Sequence, residues 1–128
     1  MRLLLDTCTF LWLTEGDDRL SETARAMIIE PDNEVFLSAA SVWEIVIKHG
    51  LGRLLLKQSP DQYIVGQRRL HRIDSLVIDE QTVLHIGKLP GIHRDPFDRL
   101  LVAQAIIHEC LILTPDPLIR RYPARVIW

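Results

Sequence analysis

Three runs constrain this chain more than any other feature: Leu3-Leu4-Leu5, Val35-Phe36-Leu37 and Leu111-Ile112-Leu113 are apolar at every position. A strand with one wet face alternates apolar and polar residues. A continuous short run is the pattern of a strand covered on both faces, as in a parallel sheet between helices. Leu76-Val77-Ile78 and Arg125-Val126-Ile127-Trp128 read as two further strands. Helix signals fill the intervals. Asp6 or Thr7 caps a helix through Leu13, and Ser21 opens Glu22 to Ile29, which Pro31-Asp32-Asn33 ends. Ser38 or Ser41 caps a helix to about His49, with Gly50 and Gly52 at its exit. Ser59-Pro60-Asp61-Gln62 supplies a capping serine, a first-turn proline and a glutamine for a helix to about Leu70. Asp79 caps the next, ending near Leu89-Pro90-Gly91. Asp95-Pro96-Phe97-Asp98 starts the most apolar helix, whose apolar residues cover more than one face. This alternation predicts an α/β fold, a three-layer α/β/α sandwich with a mostly parallel central sheet, as one domain over residues 1–128.

Composition narrows the function classes. Hydrophobic residues make up 48%, enough for a packed core, and no stretch approaches a membrane span. The opening apolar residues meet Asp6 too soon for a signal-peptide core, so a cytoplasmic location is the expectation. Cys8 and Cys110 are the only cysteines and read as buried free thiols. A formal net charge of -2 excludes a general basic coat for nucleic acid and leaves room only for local basic patches.

Some carboxylates fall where solubility does not explain them. Asp6 directly follows one apolar strand, and Asp116 follows another through Thr114-Pro115. In a parallel sheet the loops beyond the carboxyl ends of strands share one edge, where ligands bind. Glu44 and Asp98 lie in the first turns of helices that start near the same edge. Each acid also has a purely structural reading. Glu44 fits a capping box with Ser41, Asp98 an ordinary first-turn acid, Asp116 a turn residue, and Asp95 the cap before Pro96. Taken together they point to a cation site, because two carboxylates about 5 Å apart repel by roughly 3 kcal/mol at an effective dielectric near 20. Oxygen donors suit Mg²⁺ or Mn²⁺.

The five histidines form no metal-ligand spacing, and only His93 lies close in sequence to these acids, where it is a candidate phosphate contact. Arg99 is the sharper candidate for that role because it neighbours Asp98. Lys48, Arg53 and Lys57, then Arg68, Arg69 and Arg72, then Arg120 and Arg121 form further basic groups. Trp12 and Trp43 read as core or interface aromatics.

Leu4-Leu5-Asp6-Thr7, Ser38-Ala39-Ala40-Ser41-Val42-Trp43-Glu44-Ile45, the segment from Arg94 to Ala105 and Leu113-Thr114-Pro115-Asp116 form an ordered set across nearly the whole chain. In these blocks the sequence resembles the PIN-domain ribonucleases, specifically the VapC-like toxins of bacterial type II toxin–antitoxin pairs. The resemblance implies a PIN-like fold with metal-binding and catalytic acids at Asp6, Glu44, Asp98 and Asp116. Asp95 matches an additional acid, and Thr114 and Thr7 match positions that support the site by hydrogen bonding. It further implies Mg²⁺- or Mn²⁺-dependent endonucleolytic hydrolysis of RNA, possible targets including transfer RNA, by a metal-activated water. The implied partners are a cognate antitoxin and a second toxin subunit, giving a homodimer within a toxin–antitoxin hetero-oligomer. Phe10, Trp12 and Leu13 are candidates for that partner surface, or equally for the core. Two other classes fit the residues: a non-catalytic interaction module, and a metal-dependent nuclease or phosphatase with a non-toxin role.

Overall fold

In the computed structural model, which describes residues 1–128, each fully apolar run is a strand that feeds two cores at once. Strands β1 (Arg2–Leu5), β2 (Glu34–Ser38), β3 (Ile73–Leu76), β4 (Leu111–Leu113) and β5 (Val126–Ile127) form one sheet in the order β3-β2-β1-β4-β5. Every pairing is parallel. Leu4 lies opposite Phe36 and Ile112, and all three enter one core. Leu3 aligns with Val35 and Leu111, and Leu5 with Leu37 and Leu113, and these enter the other. Successive side chains on a strand point to opposite faces, so unbroken apolarity is what a two-sided core requires.

Helices α1 (Thr7–Glu15), α2 (Glu22–Ile29), α3 (Ala39–Gly50) and α4 (Pro60–His71) cover the Leu3 face through Phe10, Leu13, Ala24, Ile28, Ile45 and Ile64. Helix α6 (Pro96–Ile107) covers the Leu4 face with Leu101, Val102, Ala103 and Ala105, joined by Ile119 and Tyr122, with α5 (Glu80–Ile86) packed beside it. The result is the three-layer α/β/α sandwich. Each fully buried Leu, Ile or Phe contributes about 1.5–3 kcal/mol relative to exposure. Phe10 and Leu13 therefore belong to the core and not to a partner surface. Trp12 is half-buried against Trp128, 5.7 Å between ring centres.

Local signals place most helix starts. Asp6, Ser21, Ser38, Asp79 and Asp95 each accept a backbone N–H of the first turn. Helix α3 is capped by Ser38, which leaves Ser41 inside it and removes the capping-box reading of Glu44. Ser59 precedes α4 but makes no side-chain cap bond. The third strand in sequence order also departs from the expectation. It runs over Ile73–Leu76, not Leu76–Ile78, because Arg72 turns left-handed (φ 55°) and delivers the chain straight into register with Val35–Ser38. Val77 stays exposed. The final strand is confined to Val126–Ile127.

Candidate metal centre

Strands β1 and β4 end side by side, and the residues just beyond them meet. Oδ1 of Asp6 accepts the Thr9 N–H at 2.8 Å as the cap of α1, and Oδ2 accepts the Thr114 hydroxyl. The Cys8 thiol donates to the same carboxylate at 3.2 and 3.4 Å. Burial and the neighbouring Asp6 charge both push this thiol well above its ordinary pKa, so it stays a donor. Thr114 in turn accepts the Asp116 N–H at 3.1 Å. One hydroxyl thus sets the position of two acids.

Glu44 sits in the second turn of α3, where its buried carboxylate spans the gap to α1. Oε1 accepts the Thr7 hydroxyl at 2.5 Å, and Oε2 lies 2.7 Å from the Lys48 ammonium one turn later. The hydrogen bond to Glu44 raises the Lys48 pKa. Asp98 lies in the first turn of α6, with Asp95 as the N-cap, its Oδ1 accepting from the Phe97 N–H at 2.9 Å. His93 closes the arrangement: its Nε2 is 3.0 Å from Oδ2 of Asp98 and 3.1 Å from Oδ2 of Asp116.

These elements enclose a cavity of about 610 Å³ whose walls include Asp6, Glu44, Asp95, Asp98 and Asp116 together with Thr7, Cys8, Lys48 and Arg53. Five carboxylates therefore face two cations. The cost of that imbalance falls on Asp98: burial first, then the charges of Asp95, Glu44 and Asp116, push its pKa from 3.8 to about 7, against the opposing pull of His93. A divalent cation relieves this repulsion, and the donor set, mostly carboxylate oxygen, fits a hard ion such as Mg²⁺ or Mn²⁺. The tightest grouping is His93, Asp98 and Asp116, whose ligand-capable atoms lie within 4.8 Å of one another. Asp6 and Glu44 line the same cavity outside that close group.

Other basic residues stand elsewhere. The Arg99 guanidinium donates to the carbonyls of Ile86 and Pro90, at 3.1 and 3.0 Å, and to the Tyr122 hydroxyl at 3.3 Å. It clamps the segment between α5 and α6 and does not line the cavity, so its sequence neighbourhood to Asp98 did not predict its direction. Arg68 and Arg69, in the last turn of α4, and Arg72 just beyond it precede β3 at the amino edge of the sheet, opposite the acids. Two cavity neighbours differ in how far the sequence signals them. The Lys48 pairing was legible as an i,i+4 relation to Glu44, whereas His93 has no spacing that links it to Asp116.

Fold and cavity together define a class: a three-layer α/β protein with an acidic, cation-compatible centre at the carboxyl edge of a parallel sheet. A family model described as the PIN domain matches residues 3–124, and the chain belongs to that family. Ribonuclease VapC16 of Mycobacterium tuberculosis (strain ATCC 25618 / H37Rv) is 34% identical over 68 residues, which cover 53% of this chain and 48% of that protein. The match thus spans about half the length of this curated relative. Among solved structures, VapBC2 from Rickettsia felis, bound to a promoter DNA fragment, superposes with a TM-score of 0.75 at 16% identity, over 99% of this chain and 98% of that one. VapBC-1 from nontypeable Haemophilus influenzae gives 0.68 at 20% identity, over 99% and 97%. At such identities these likenesses speak for the fold.

Proposed function

We propose that this chain is a divalent-metal-dependent endoribonuclease acting as the toxin of a toxin–antitoxin pair. The observation that carries the reading is the gathering of Asp6, Glu44, Asp98 and Asp116, from four separate elements, around one cavity of a PIN domain. These four acids hold Mg²⁺ or Mn²⁺, with Asp95 chiefly the cap of α6. A bound divalent ion supplies Lewis acidity toward a phosphodiester and lowers the pKa of water. The chain's own part is orientation. Thr114 and Cys8 fix the Asp6 carboxylate, Thr7 and Lys48 fix that of Glu44, and His93 spans Asp98 and Asp116. Lys48 and Arg53 give the RNA backbone a cationic edge at the cavity wall, which answers how a chain of net charge -2 receives a polyanion.

A cognate antitoxin covering the cavity and a second copy of the toxin are the proposed partners, in keeping with a toxin–antitoxin complex from Klebsiella pneumoniae that shares the fold. Exposed Trp43, Val46 and Ile47 on α3 offer apolar area for association. No helix is long and apolar enough to cross a membrane, and a cytoplasmic location suits an RNA target, transfer RNA among the candidates.

The deciding experiment sequences RNA ends after controlled expression of the intact chain, Asp6→Asn and Asp98→Asn. New cleavage ends are expected with the intact chain alone. Undiminished cleavage in both variants, or cleavage that persists with divalent metal fully chelated, overturns the mechanism.

A further inference from the structure

Distance alone makes His93 a third metal ligand beside Asp98 and Asp116, since Nε2 points between the two carboxylates. The other ring nitrogen decides otherwise. Nδ1 lies 3.2 Å from the backbone nitrogen of Asp95, which can only donate. A nitrogen that accepts an N–H carries no proton, so the single ring proton of the neutral imidazole is on Nε2. An Nε2–H has no lone pair to offer a cation. It can donate, and it stands 3.0 and 3.1 Å from two carboxylate oxygens that otherwise repel.

The backbone that carries the ring and the N–H that faces it are both held. The His93 backbone N–H donates to the Tyr122 hydroxyl at 2.7 Å, and the same hydroxyl receives Arg99, which also holds the carbonyls of Ile86 and Pro90. Asp95 is held as well, because its side chain caps α6. The Asp95 N–H and the His93 backbone are thus held in place, and the ring that joins them is fixed by its own three contacts, with Asp95, Asp98 and Asp116.

We infer that His93 is a positioning residue and not a metal ligand: its Nε2–H bridges Oδ2 of Asp98 and Oδ2 of Asp116, holding the two carboxylates at a fixed separation and turning Oδ1 of each toward a cation, that of Asp116 steadied by the Leu118 N–H at 2.8 Å and keeping a second lone pair. This inference rests on the metal-dependent reading of the site, and it assigns the imidazole a task that proximity would misread. Groups that orient ligating residues typically change metal affinity by about 10–100-fold when removed. The Asp95 N–H thus chooses the tautomer, and the tautomer chooses donor over ligand.

The test uses the intact chain labelled with ¹⁵N in histidine, at about pH 8, above the ordinary histidine range. Long-range ¹H–¹⁵N correlation is recorded before and after addition of Mg²⁺. The expected result is a protonated Nε2 and a proton-free Nδ1 for His93 in both spectra. A proton on Nδ1, or loss of the Nε2 proton when Mg²⁺ enters, overturns the inference. Calorimetric Mg²⁺ titration of His93→Gln and His93→Ala supplies the second readout. Glutamine restores a donor at similar reach, so its affinity is expected within about threefold of the intact chain, with alanine weaker by about tenfold or more. Equal affinity in the intact chain and the alanine variant also overturns it. Failure of the intact chain to bind Mg²⁺ at all overturns the metal-dependent function and this positioning role together, while the tautomer spectrum alone separates an error about His93 from an error about the site.

Discussion

The Thr114 hydroxyl donates to Oδ2 of Asp6 across 108 residues of sequence, and both groups are buried at the adjoining ends of β1 and β4. Replacing Thr114 by valine keeps the shape but leaves one oxygen of Asp6 and the N–H of Asp116 without their present partner. We expect a loss of about 1–3 kcal/mol in stability by chemical denaturation. Thr114→Ser should retain most of it. Equal stability of the valine variant and the native chain would refute this account of the pair.

Asp98 makes stability depend on pH in a defined direction. Its folded-state pKa is raised, from 3.8 to about 7, so the folded chain binds a proton more tightly than the unfolded one. Its contribution is therefore full below the ordinary value, declines as pH rises through this interval and is flat above it. With chelator present, stability from thermal melts should fall between about pH 4 and 7 by at most about 4 kcal/mol, about three tenfold changes in proton affinity each worth about 1.4 kcal/mol. Asp98→Asn should flatten that part of the profile, and Mg²⁺ should raise Tm most at the alkaline end.

Lys48 separates binding from stability. Its ammonium is half exposed, so the pair with Glu44 contributes under about 1 kcal/mol to folding. Lys48→Met should lower the melting curve only slightly while weakening RNA cleavage by about tenfold, through both KM and kcat, because a cation is lost from the cavity wall and Glu44 loses one of the two groups that orient it. Measuring cleavage across ionic strengths checks the reason, since the salt dependence should become shallower.

Arg99 should behave as a clamp. In Arg99→Ala, amide exchange is expected to rise across the segment between Gly87 and Asp95, where two carbonyls lose their donor. RNA affinity measured with catalysis disabled should change little beyond that loosening. A strong, salt-dependent drop in affinity with unchanged exchange would return Arg99 to a phosphate-contact role.

Much of the architecture was legible because its causes are local or periodic. Leu3-Leu4-Leu5 declares a strand covered on both faces without knowledge of its neighbours, and Ser21, Asp79 and Asp95 announce helix starts through bonds made within a turn. Leu76-Val77-Ile78 misled for the complementary reason. An edge strand's extent is set by its ladder partner, and pairing with Val35–Ser38 selects Ile73–Leu76.

The acids divide in the same way. Residue order put Asp6 and Asp116 beyond two strands, and parallel topology then puts such residues on one edge whatever the details. Side-chain direction had no such rule. Sequence proximity put Arg99 at the site, and the structure turns it toward the Ile86 and Pro90 carbonyls; nothing in the order of residues brought His93 to Asp116. The sequence by itself determined the layers, most helix starts and the candidate acids, because hydrophobic period and first-turn bonding act over a few residues. Only the tertiary structure decided which oxygen each donor meets, because a hydrogen bond depends on atom positions to within a few tenths of an ångström, and those are set by how separate helices pack across the sheet.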